Sequence, residues 1–99
     1  MQIDISGTPP GVINQTRAYA EYRVFSRLAP MARDVAAVLV VLSRSRHDRH
    51  TVCAISADLG GAGTVRARAA HPHPTGAIDA AADRLAAAVR RRLPAVPVG

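Results

Sequence analysis

Residues 36–70 read AAVLVVLSRSRHDRHTVCAISADLGGAGTVRARAA, and three strands follow from them in succession. Residues 36–42 are a near-unbroken run of Ala, Val and Leu, the pattern of a central strand. Residues 43–50, SRSRHDRH, form a charged connection. Residues 51–59 then alternate: Cys53, Ile55, Ala57 and Leu59 fall on one face, and Val52, Ala54, Ser56 and Asp58 on the other. Gly60, Gly61 and Gly63 mark a tight hairpin connection. In residues 64–70, Val65, Ala67 and Ala69 point inward while Arg66 and Arg68 point out.

On the N-terminal side, residues 2–6 read as a short strand, with Ile3 and Ile5 alternating against polar neighbours. GTPPG, residues 7–11, is a turn cluster. A helix begins near Ile13 or Asn14, with Asn14 as its N-cap, and runs to about Ala29, because Pro30 disfavours a helical residue ahead of it. Ala18, Tyr22, Phe25, Leu28 and Ala29 share one arc, which is expected to face the sheet. Arg23 and Arg27 lie four apart and away from that arc, so both can reach one ligand. Arg17 stands one turn before Glu21 and is placed to pair with it.

On the C-terminal side, HPHP (residues 71–74) is stiff and non-helical, and Thr75 is expected to cap a second helix reaching about Leu93. Its apolar arc is Ile78, Ala81, Ala82, Leu85, Ala88 and Val89. The opposite face carries Asp79, Asp83, Arg84, Arg90 and Arg91, with acids early and arginines late, an order that complements the helix dipole. Pro94 ends the helix. The order is β-α-β-β-β-α, an α+β fold in which both helices pack on one face of a four-stranded sheet. Residues 1–93 are expected to form one domain and residues 94–99 a disordered tail.

At 99 residues and 48% apolar content the chain can bury one modest core. The longest apolar run, residues 35–42, is far short of the roughly 20 residues of a membrane span. MQIDISG has an acid where a signal peptide carries positive charge, so the expectation is a cytoplasmic protein without membrane contact. Cys53, the one cysteine, has apolar neighbours and reads as a core residue. The net charge is +6, and all thirteen basic residues are arginine. GC-rich coding can exchange lysine for arginine but does not create net charge, so the charge itself points to a polyanionic partner. The planar guanidinium fork suits phosphate.

His47 with His50, and His71 with His73, lie in loops without cysteine or carboxylate partners at metal-site spacing, so neither a metal nor a cofactor is expected. No nucleophile or second carboxylate joins Asp48 for acid–base work. GGAG, residues 60–63, lacks the lysine and following helix of a phosphate-binding loop. The chain therefore does not read as an enzyme. Its aromatics are Tyr19, Tyr22 and Phe25, none on a strand, which argues against an RNA-recognition sheet that stacks bases.

The order of elements and several local stretches resemble the ribosome hibernation-promoting factors, also called protein Y or sigma-54 modulation proteins. MQIDISG resembles the family's opening strand, RAYAEYRVFSRL its first helix, and VLVVLSRSRH its second strand and turn. GTVRARAA followed by GAIDAAADRLAAAVRRR resembles the last strand and second helix, with AIDAAADRL the most specific piece. HPHPTG departs from the family's usual acidic pair and aromatic, and GTPPGVINQ from its usual lead into the first helix. With no C-terminal ribosome-pairing domain within its 99 residues, the chain resembles the short form, or the N-terminal half of a long form. The resemblance implies a monomer that binds the small ribosomal subunit and its ribosomal RNA in the tRNA–mRNA channel and blocks translation during starvation. It also implies RNA contacts from Arg17, Arg23 and Arg27 on the first helix and Arg84, Arg90 and Arg91 on the second.

A second class of function stands beside it: a protein-interaction or dimerisation module without RNA binding, docking through Val52 and Ala54 on an exposed sheet face.

Overall fold

The computed structural model describes residues 1–7 and 14–94. The GTPPG turn beyond Gly7, the helix start at Ile13 and the tail from residue 95 lie outside the described residues. Strands β1 (Gln2–Ser6), β2 (Ala37–Arg44), β3 (Thr51–Asp58) and β4 (Thr64–His71) form one sheet in that order. β2, β3 and β4 are the antiparallel meander expected from residues 36–70. β1 pairs with β2 in parallel, which demands a crossover, and helix α1 (Asn14–Leu28) supplies it. Helix α2 (Pro74–Arg92) lies over β3 and β4, with α1 beside it over β1.

The register explains why one face is core. Val40 opposes Ile55, and Ile55 opposes Ala67, so the inward residues of three strands form continuous rows. Both helices close over those rows in a single cluster, and the fold is α+β with the order β-α-β-β-β-α. Many of its members are alanines: Ala77, Ala81, Ala82 and Ala86 let α2 lie close to the sheet. Volume comes from a few large side chains, chiefly Leu28, Leu42, Ile55, Ile78 and Leu85. Cys53 is among the buried set, and burial pushes its thiol up to about 12, so it stays a neutral core residue.

Three expectations are corrected. Tyr22 and Phe25 do not face the sheet; they are 66% and 52% exposed. Helix α1 instead buries Ala20, Val24 and Leu28, spaced by four. Only Leu28 belongs to both stripes. Small Ala20 and Val24 permit close approach, and the seam with α2 claims the adjoining flank of α1, which turns the aromatics outward. Thr75 is not the cap of α2: Pro74 is the first helical residue, His73 sits in extended backbone ahead of it, and no side chain caps the helix. Proline suits that position because its missing N–H would go unbonded there anyway. Val52 is only 6% exposed although its register places it on the outer face. The open face is presented by Leu39, Val41 and Ala54 instead.

The two turns of the meander lie at opposite ends of β3. At one, Gly63 adopts φ +93°, a left-handed value that favours glycine, in the short link between β3 and β4. At the other, residues 45–50 reverse the chain between β2 and β3 through the bonds from Ser45 N to His50 O and from Arg49 N to Ser45 O.

Candidate nucleic-acid interface

The two helices run in the same direction, since their contacts advance together along both. The Tyr19 hydroxyl donates to Asp79 Oδ1 at 2.6 Å, and Arg23 Nε donates to the same oxygen at 2.9 Å. One turn on, Arg27 Nε lies 2.8 Å from Asp83 Oδ1, an ion pair without a hydrogen bond's alignment. The pairing follows from spacing: Arg23 and Arg27 form one i,i+4 row, Asp79 and Asp83 another, and the rows mate. Two arginines read as free for a ligand therefore stitch α1 to α2.

This seam leaves a titration signature. The hydrogen bond to Asp79 raises the Tyr19 phenol above its ordinary 10.0; burial and the Asp79 charge add to the effect and Arg23 opposes it. The folded state thus holds this proton more tightly than the unfolded chain. Its contribution to stability is present below pH 10 and is lost as pH rises through the folded value. In a Tyr22→Phe background, ultraviolet absorbance should show Tyr19 ionising above 10.0, and Asp79→Asn should bring it back toward that value. An identical titration in both proteins would remove the hydrogen bond from this account.

The other four predicted residues separate. Arg17 is exposed and donates from Nη2 to Ile5 O at 3.2 Å, and no pair with Glu21 forms. Arg84 donates from Nη1 to Arg68 O at 2.7 Å, pinning α2 to β4. Arg90 and Arg91 are exposed in the last turn of α2, and among the described residues neither has a carboxylate or hydrogen-bond partner. Beside them Arg92 Nε donates to Ala62 O at 3.0 Å, tying the helix end to the β3–β4 turn. The six arginines do not merge into one face: Asp79 and Asp83 neutralise Arg23 and Arg27 between the helices, and the unengaged charge of the six sits at the end of α2. Phosphate is well served there, because exposed guanidinium groups keep their donors free.

A basic group outside the predicted set lies at the β2–β3 turn, where Arg44, Arg46 and Arg49 are exposed together with His47. The density of arginine in SRSRHDRH was the available signal. On the outer sheet face, Arg66 and Arg68 border a shallow hollow of about 400 Å³ lined by Leu39, Val41, Ala54 and Ser56. Among the described residues no group of three or more His, Cys, Asp or Glu side chains gathers as a metal would require. No described helix is long and apolar enough to cross a membrane.

A family model described as Sigma 54 modulation protein / S30EA ribosomal protein matches residues 3–93. Among solved structures, a ribosomal subunit interface protein from Coxiella burnetii superposes with a TM-score of 0.78, over 92% of this chain and 96% of that one, at 15% identity. The N-terminal domain of Protein Y from Thermus thermophilus superposes with a TM-score of 0.67 over 91% and 93%, at 29% identity. No curated protein matches the chain.

Proposed function

The chain belongs to the Sigma 54 modulation protein / S30EA ribosomal protein family, which makes it a ribosome-associated, non-enzymatic protein; from that premise we propose that it binds ribosomal RNA of the small subunit in the tRNA–mRNA channel and keeps the ribosome idle. It does so as a single copy, with the α2 arginines meeting phosphate. The observation that carries this reading is the pair Arg90 and Arg91, exposed and unpaired among the described residues on a chain of net charge +6. Recognition is by backbone and shape, since no described strand carries a Phe, Tyr or Trp side chain, and the one imidazole, His71, stands at the very end of β4. About five phosphate contacts would give a log–log salt slope of roughly −3.5 to −4.5.

Sedimentation with purified small subunits tests the proposal. The protein is expected in the subunit peak at low salt and free at high salt. The triple variant Arg84→Ala, Arg90→Ala, Arg91→Ala should stay at the top of the gradient while keeping its fold by circular dichroism. A triple variant that co-sediments as tightly as the parent would make the assignment of the α2 arginines wrong. Docking through the open sheet face, the route of an interaction module, would leave that variant unaffected.

A further inference from the structure

The β2–β3 turn is the most concentrated cationic feature that the helical site does not use, and we infer that it is a second contact for the RNA phosphate backbone, engaged together with Arg90 and Arg91. This rests on the RNA-binding reading above and adds a separate place to it.

Three observations carry it. First, within residues 44–50 Arg44, Arg46 and Arg49 are exposed, and among the described residues none of the three forms an ion pair. The one nearby acid is occupied: Asp48 Oδ1 accepts from His50 N at 2.9 Å, and Asp48 Oδ2 lies 3.5 Å from His50 Nδ1. That backbone bond to His50 is the main reason the Asp48 carboxyl is held below its usual range. Asp48 therefore builds the turn rather than shielding the arginines.

Second, Arg49 has φ +61°, the one non-glycine residue with positive φ among those described. Glycine or asparagine would hold this conformation at less cost. An arginine kept in a conformation that disfavours it marks a position where the side chain is wanted.

Third, the turn and the end of α2 are at opposite ends of the domain. Arg92 reaches the β3–β4 turn, and the eight residues of β3 separate that turn from the β2–β3 turn. At ~3.3 Å per residue the two basic groups stand about 25 Å apart. Between them Asp79 and Asp83 neutralise the helical seam. A charge distribution of this kind fits an extended, structured polyanion that meets the protein at both ends.

The test compares three proteins binding purified small subunits across a salt series: the parent, Arg46→Gln with Arg49→Gly at the turn, and Arg66→Gln with Arg68→Gln on the outer sheet face as a charge-matched control. Arg49→Gly relaxes the backbone, so the turn variant should melt no lower than the parent. Its affinity is expected to fall about tenfold or more, and its salt slope to become shallower by roughly 1.4 to 1.8. The control should lose less than about threefold, the share that net charge alone explains. A turn variant no weaker than the control overturns the second contact and leaves the small-subunit reading standing. A parent that does not bind small subunits at all overturns both.

Discussion

Leu85→Ala is expected to lower stability by about 3–5 kcal/mol and the melting temperature by on the order of 15–25 °C. Leu85 is fully buried on the sheet-facing side of α2. Truncation removes its transfer free energy and leaves a void that neighbours fill only in part. Here the neighbours are poorly equipped to fill it. Alanines supply much of the surrounding cluster, and a methyl group cannot swing into an adjacent space. A domain of this size has roughly 5–15 kcal/mol in total, so the loss is a large share. Leu39→Ala offers the contrast: the same atoms are removed from a side chain 43% exposed on the outer sheet face, and the cost should stay near ~0.5 kcal/mol. Thermal unfolding of the two variants checks this. Equal losses would mean that the helices do not cover the face assigned to them.

The second large effect concerns binding, and it separates arginines that the sequence alone treats alike. Arg90→Ala with Arg91→Ala is expected to weaken binding to small subunits by roughly 30- to 100-fold, at about 1 kcal/mol or more per lost charged contact. The salt slope should shrink by roughly 1.4 to 1.8. Thermal stability should barely move, since neither side chain has an intramolecular partner among the described residues. Arg23→Ala with Arg27→Ala should behave in the opposite way. Both side chains are engaged with Asp79 and Asp83 across the helix seam. Their loss should lower the melting temperature modestly, because each pair is more than a third exposed and water screens it, and change binding far less. Isothermal binding measurements beside melting curves give both readouts. If Arg23 and Arg27 prove as important for binding as Arg90 and Arg91, the seam opens on the ribosome and its ion pairs are exchanged for phosphate.

Most of the backbone was legible from the chain. The meander of residues 36–70 announced itself because side-chain period two and glycine punctuation are local signals. The inward sets of β3 and β4 came out correctly for that reason, as did Ile78, Ala81, Ala82, Leu85 and Val89 of α2, whereas Ala86 is buried and Ala88 only partly so. The count and sign of charge were fixed by composition, and the absence of Phe, Tyr and Trp from residues 36–70 is read directly from the chain.

The rotational setting of α1 was decided by tertiary structure. Its sequence offers two apolar stripes that share Leu28, one through Tyr22 and Phe25 and one through Ala20 and Val24. Helix geometry fixes which residues lie together on a face, but which face turns inward depends on the neighbour it meets. That neighbour is α2, whose acids draw Tyr19, Arg23 and Arg27 to the seam and leave Tyr22 and Phe25 in solvent. The state of each arginine was settled in the same way. Composition gives thirteen equal charges, whereas the fold pairs some across helices, bonds others to carbonyls, and leaves the ends of α2 and of the β2–β3 turn unpaired among the described residues. Period and charge are properties of the chain; partnership needs two elements brought to within hydrogen-bond distance, and only packing does that.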